Sequence, residues 1–233
     1  MVKKLNILGA FLALVGAGFL AAGVFAYSQV AAGQNSLDAF ATAENVQLSY
    51  DDDGNLLNHG DTTEGQDVLD LLENDWGYAV VASDLDPNDP IVNTPTEYMV
   101  QMAAIAYDVL NMTITVTPSA DTEYDGQTLT AGESYDIPVD GRYWADFDYT
   151  NEIDQQVRAG AWSGTAHALI AELGVGSVTA STLQLGTGVA AFIGGLGLVF
   201  IVLGAAALWI ASGLKKESVA EAVAADDKEL VAA

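Results

Sequence analysis

Two stretches of the chain, residues 5–27 and residues 185–212, contain no charged residue. Each is apolar all the way round a helical projection instead of along one stripe. A bilayer core about 30 Å thick is crossed by about 20 helical residues, so each stretch predicts a transmembrane α-helix. Between them the pattern changes. Residues 28–44 keep helix-forming Ala and Gln and extend the first helix. Residues 46–50 alternate as a strand does, and Asp53-Gly54 marks a hairpin turn. Residues 64–76 set Val68, Leu69, Leu71 and Leu72 among acids, the pattern of a short amphipathic helix. Residues 78–82 read as a buried strand or helix end, and Pro87, Pro90 and Pro95 break residues 84–95 into a loop.

Residues 96–111 give the clearest helix outside the two apolar stretches. Tyr98, Met99, Met102, Ile105, Ala106, Val109 and Leu110 form its apolar face. Residues 112–117 alternate as a strand. The core is therefore expected to include Met99, Met102, Ile105, Val109, Ile114 and Val116, with Glu97 dispensable to it. Residues 122–150 read as short strands turning at Asp125-Gly126, Ala131-Gly132 and Asp140-Gly141. Within them, strand geometry puts Tyr143, Ala145, Phe147 and Tyr149 on one face and Trp144, Asp146 and Asp148 on the other. The second face is either solvated or a partner-facing edge. Trp76 and Trp162 suit either the core or a membrane interface. Residues 151–173 return to helix, with Ile153, Val157, Ala161 and Ala168 on one side. The fold class expected is a membrane protein: two transmembrane α-helices flanking a compact mixed α+β extracytoplasmic domain.

Charge orients this plan. Lys3 and Lys4 precede the first apolar stretch, and Lys215 and Lys216 follow the second. Between them, 27 acidic residues face only Arg142 and Arg158, so the net charge of −25 resides in the middle of the chain. Lys and Arg mark cytoplasmic flanks. The segments expected are then 1–4 cytoplasmic, 5–27 transmembrane, 28–185 extracytoplasmic, 186–212 transmembrane and 213–233 a cytoplasmic tail. Residues 31–33, Ala-Ala-Gly, would suit cleavage of a signal peptide, but the apolar run is longer than a signal core of about 7–15 residues, which favours an uncleaved anchor. So acidic a domain disfavours nucleic acid and anionic lipid surfaces as ligands. It suits cations, a basic partner or solubility in high salt.

Small residues recur in both apolar stretches and allow close helix approach in lipid. The packing candidates are Gly9, Gly16 and Gly23 in the first, and Gly188, Gly195 and Gly204 in the second. A spacing of four from Gly188 reaches Phe192, so the dimer motif of two glycines four apart is absent there. Neither stretch holds the ionisable residues that line ion pathways and proton relays, which argues against a transporter or pump.

The inventory for catalysis is thin. There is no Cys, so thiol chemistry and disulfides are excluded together. Of the two histidines, His167 follows Ser163 by four residues, with Asp154 or Glu172 available to orient its ring; no nucleophile elbow surrounds Ser163. His59 sits in a polar turn. Asp84, Asp86, Asn88 and Asp89 space oxygens as calcium loops do, but Asp89 stands where such a loop needs Gly and Pro95 where it needs Glu. Asp51-Asp52-Asp53-Gly54-Asn55 also fails the full pattern. Calcium is thus at most a weak surface ligand, and no other cofactor is implied.

Residues 9–24, 43–48 and 182–207, with Gly195-Leu196-Gly197-Leu198 inside the last, resemble small actinobacterial two-pass membrane proteins of unknown function. Some of these carry an aromatic ring-opening dioxygenase label. That activity implies a cluster of metal ligands, and two distant histidines do not supply one. The function expected is a non-catalytic accessory or scaffold subunit. Its partners would be membrane lipid and other integral membrane subunits, whose outer face the acidic domain would cap. The alternatives are an extracytoplasmic cation- or ligand-binding sensor and a membrane-anchored hydrolase using Ser163 and His167.

Overall fold

The structure, a computed structural model, describes residues 2–232, with side chains described over residues 2–220; the end of the expected tail, residues 221–233 with Lys228, lies outside the described side chains. The chain divides into two compact units. Met1–Asn35 and Thr182–Ala233 form a helix pair, and Ser36–Ser181 forms a mixed α/β domain. The first helix, α1, covers Val2–Glu44, and the last, α5, covers Gly164–Ala232. Both are long and apolar enough to cross a membrane. Both helices run on past the apolar stretches, α1 to Glu44 and α5 from Gly164.

The pair is built on a spacing of seven. Gly9, Gly16 and Gly23 recur at that interval on α1, and Ala190, Gly197, Gly204 and Ala211 on α5; all are buried. A Cβ placed on Gly9 would lie 2.8 Å from the Gly204 carbonyl oxygen, one on Gly16 2.6 Å from that of Gly197, and one on Gly23 2.6 Å from the Gly194 nitrogen. Ascending one helix descends the other, so the pair is antiparallel. A seven-residue repeat keeps one seam of an α-helix facing its partner, and only hydrogen at those positions lets the two backbones touch. Phe19 and Phe200 meet at a tilt of 41°, with ring centroids 5.9 Å apart. Leu14, Phe25, Phe192 and Val202 point outward and are each more than half exposed. Gly188 and Gly195 lie off the seam, because a Cβ there would meet nothing within 4 Å; Gly197 occupies the seam instead.

In the domain, α3 (Pro95–Asn111) is the central element. It starts where it does because the Thr94 hydroxyl accepts the Glu97 N–H while the Glu97 carboxylate accepts the N–H groups of Thr94 (2.8 Å) and Asn93 (3.0 Å). This reciprocal cap satisfies N–H groups that a helix start leaves open. Glu97 is consequently only 2% exposed, which corrects the expectation that it is dispensable. Burial raises its pKa even against those hydrogen bonds. The stripe of α3 pressed inward keeps the expected Tyr98, Ala106, Val109 and Leu110 but takes Val100 and Ala103 in place of Met99, Met102 and Ile105. Val100 and Ala103 join Leu48, Val68, Leu72 and Val92 in one core cluster. Ala106, Val109 and Leu110 join Val116, Val139, Phe147, Ile153 and Val157 in the other. Met99, Met102, Ile105 and Ile114 are half-buried at the margins.

The remaining elements are short. α2 (Thr62–Asp70) is capped by Asp61 and widens into a π turn over Leu71–Asp75. Three antiparallel strand pairs follow the turn signals. β1 (Ser49–Tyr50) pairs with β2 (Leu56–Leu57). β3 (Thr113–Val116) pairs with β6 (Tyr135–Pro138), Ile114 opposite Ile137. β4 (Thr122–Tyr124) pairs with β5 (Gln127–Leu129) through Asp125 and Gly126, whose φ angles of 48° and 73° suit a primed hairpin turn. α4 (Glu152–Ala161) packs on β3.

Three expectations are overturned. Residues 78–82 join no strand ladder and lead into a 3-10 turn at Ala82–Asp84. The helix expected over 151–173 breaks after Ala161, and α5 restarts at Gly164 with the Ser163 hydroxyl accepting the Ala166 N–H. Residues 143–149 form turns, not a strand. The Asp146 carboxylate accepts the Tyr143 N–H at 2.8 Å, and Asp148 accepts both the N–H and the hydroxyl of Thr150. Short acids bonding their own backbone compete with a ladder and win here.

Two substitutions check these assignments. Gly197→Ile drives a side chain into the α1 backbone, and overpacking of this kind costs about 1–3 kcal/mol. The full chain in detergent should therefore melt clearly lower, whereas Gly195→Ile should leave its melting temperature unchanged. Glu97→Ala removes the helix cap and should cost about 0.5–2 kcal/mol, read as a lower melting temperature of the domain transition.

Candidate functional site

The four topology lysines are exposed. Because the helix pair is antiparallel, Lys3 and Lys4 lie at the same end of it as Lys215 and Lys216. The calcium candidates are held by their own loop. Asp86 accepts the Asn88 N–H at 2.9 Å and the Asn88 side-chain amide at 3.0 Å, which together lower its pKa. Asp84 closes the 3-10 turn, and the Asp89 N–H donates to the Asp86 carbonyl. Asp51 likewise accepts Asn55 through side chain and backbone, and its pKa is lowered. Among the described residues no group of three or more His, Cys, Asp or Glu side chains is placed to hold a metal ion.

Ser163 and His167 are neighbours, each engaged with backbone groups. The Ser163 hydroxyl caps α5, while His167 Nδ1 lies 3.0 Å from the Trp162 carbonyl and 3.1 Å from that of Ser163. His59 is solvated as expected, its side chain 68% exposed, with Nδ1 3.3 Å from Glu64 and Nε2 3.4 Å from Asp108.

The two cations of the domain take opposite roles, and neither was legible in the sequence. Arg142 is a hub. Its Nη1 donates to Asp154 at 2.8 Å, its Nε to the Val139 carbonyl, and its Nη2 to Pro138 and the Tyr124 hydroxyl. Tyr124 in turn donates to Asp154 at 2.8 Å, and the Asp148 N–H reaches the other Asp154 oxygen. Burial alone would raise the Asp154 pKa; the Asp148 N–H, Tyr124 and Arg142 outweigh it and hold the carboxyl below its usual value. A polar cleft of about 590 Å³ opens beside this network. Arg158 instead stacks between two rings, its guanidinium carbon 4.0 Å from the Tyr149 centroid and 4.4 Å from that of Trp144. Its Nε and Nη1 are buried without a hydrogen-bond acceptor among the described residues. Trp144 also meets His167 edge-on at 5.0 Å, and Trp144 and Tyr149 are 40% and 54% exposed. Trp76 and Trp162 serve the interior of the same region: Trp76 donates to the Tyr143 hydroxyl, and Trp162, itself buried, donates to the Arg142 carbonyl.

A cavity of about 730 Å³ lies wholly within the domain. Its apolar wall includes Val46, Val92, Ile105 and Leu173, and its lining residues with polar groups are Glu44, Tyr98, Gln101 and Glu172. One wall is fixed by a small residue: the Tyr98 ring lies over Gly176, where a Cβ would come within 2.6 Å of it. Comparison with family models, with curated proteins and with solved structures returns no match.

The Arg142 network gives a pH dependence. Asp154 has a lowered folded-state pKa, so its contribution is complete above the unfolded value near about 3.9 and is lost as pH falls through the folded value. Asp154→Asn should destabilise the domain at neutral pH by about 1–3 kcal/mol. Thermal melts should show the gap between wild type and variant holding from pH 7 down to about 4 and closing below it.

Proposed function

We propose that the chain is a two-pass membrane protein whose acidic domain stands outside the cytoplasmic membrane and acts as a non-catalytic accessory subunit of a larger membrane complex. The helix pair supports the membrane part. Its glycine seam is satisfied internally, its outward side chains are bulky and apolar, and Tyr27 and Trp209, 57% and 77% exposed, sit near opposite ends as interfacial aromatics do. Both lysine pairs lie at one end, and the enrichment of Lys and Arg on cytoplasmic flanks supports reading that end as cytoplasmic.

The observation that carries the accessory reading is the Trp144–Arg158–Tyr149 stack. It presents rigid aromatic faces with little side-chain freedom left to lose, on a domain otherwise covered in carboxylates. Trp, Tyr and Arg are the residues that dominate binding energy at protein interfaces. The partner implied is an integral membrane subunit with a basic outer surface around an apolar pocket. The reading needs no cofactor and no nucleic acid. The cavity favours a second reading, a ligand-binding sensor, which the next subsection takes up on its own terms.

Topology is checked with an impermeant thiol reagent on intact cells. Ser36→Cys should label and Ser218→Cys should not; the reverse would place the domain inside. For the accessory role, the full chain is purified from native membranes in mild detergent. A stoichiometric membrane partner should accompany wild type and Asp84→Asn/Asp86→Asn and be lost in Trp144→Ala/Tyr149→Ala. Retention of that partner by the double aromatic variant, or no partner in any sample, contradicts the assignment.

A further inference from the structure

The 730 Å³ cavity is of the size and composition of a small-molecule site, mostly apolar with a few polar groups. The chain does not fill it: Ala41, Ala171 and Gly176 form parts of its wall, and Gly176 is held small by the Tyr98 ring. At its mouth Phe40, Leu169 and Val175 are 50%, 42% and 68% exposed. Apolar surface left open in this way is stabilised when an apolar body covers it.

The polar groups decide what kind of body. Glu44 and Glu172 are the charged residues of the lining, and no cation is among the lining residues. Arg142 is committed to Asp154, and Arg158 is stacked between Trp144 and Tyr149. An anionic headgroup would therefore meet two carboxylates and no counter-charge, whereas a cationic one would be paired by both. Gln101 adds one amide able to donate and accept. We propose that this cavity binds a single small amphiphile, its apolar body among Val46, Ile105 and Leu173 and a cationic head at Glu44 and Glu172. The proposal does not depend on the accessory role; a co-purifying subunit neither supports nor opposes it.

The test uses the full chain in nanodiscs of zwitterionic lipid. Two probes are matched, a long-chain alkylamine and the corresponding alkyl carboxylate, each carrying a diazirine within the chain. After photolysis, labelled peptides are mapped by mass spectrometry. The amine should label residues 40–46, 101–105 and 169–176 several-fold more than the carboxylate does. Glu44→Gln/Glu172→Gln should remove that preference while leaving the fold intact, as checked by circular dichroism. Asp84→Asn/Asp86→Asn, the same loss of charge on a loop outside the cavity, should keep it. Ala41→Trp should reduce labelling by both probes, and the Gln pair still decides the matter if Ala41→Trp fails to fold. Labelling confined to residues 5–27 and 185–212 would overturn the proposal. So would equal labelling by both probes, or a preference lost equally in the Asp84/Asp86 variant. Cavity labelling blocked in native membranes but recovered after detergent strips a partner subunit would also overturn it, since the occupant would then be a partner's apolar segment.

Discussion

The close approach of two helix backbones governs the architecture. At Gly9, Gly16 and Gly23 the α1 backbone lies against the α5 backbone at Gly204, Gly197 and Gly194, at distances where any side chain would collide. In lipid there is no water to expel between helices, so such packing, with its many small dispersion contacts, is what holds a pair together. The seven-residue spacing consumes every small residue of the seam and turns Leu, Val and Phe outward. It also sets the antiparallel direction, and with it the placement of both lysine pairs at one end.

The domain between Ser36 and Ser181 solves a different problem: how to fold under a heavy excess of negative charge. It places a few charges inside and leaves the rest in solvent. Glu97 is buried because it caps α3. Asp154 is partly buried because Arg142, Tyr124 and a backbone N–H surround it. Arg158, given no carboxylate, is satisfied by aromatic faces. The exposed aromatic stack and the apolar cavity thus follow from how a cation-poor sequence uses its two arginines.

Much of this plan was legible in the residues. The uncharged runs gave the two long helices, the α3 pattern gave its bounds to within a residue, and Asp125-Gly126 gave its hairpin. The glycine seam was present too: Gly9, Gly16, Gly23 and Gly204 are legible as packing positions, but Gly188 and Gly195 belong to a second row seven apart that faces away from α1, and only the partner helix distinguishes that row from Gly197. What failed depended on contacts distant in sequence or on local competition. The aromatic run at 143–149 alternates like a strand, yet Asp146 and Asp148 bond their own backbone first. The inward stripe of α3 kept the expected Ala106, Val109 and Leu110 but took Val100 and Ala103 ahead of the longer Met and Ile side chains, because elements such as α2 that pack against it select the stripe. The Arg142 network and the cavity join segments tens of residues apart, and no local pattern announces either.

The seam can be tested at a single pair of positions. A Cβ on Gly186 would lie 3.9 Å from the Val30 Cβ, close to the ideal separation for a disulfide, about 3.8 Å. In the full chain reconstituted in bilayers, Val30→Cys/Gly186→Cys should oxidise rapidly and within one molecule, and Val30→Cys/Gly188→Cys should not. Adding Gly16→Leu should slow the first reaction sharply. Failure of the Val30/Gly186 pair to cross-link, or equal cross-linking by both pairs, would contradict the antiparallel glycine seam on which the architecture rests.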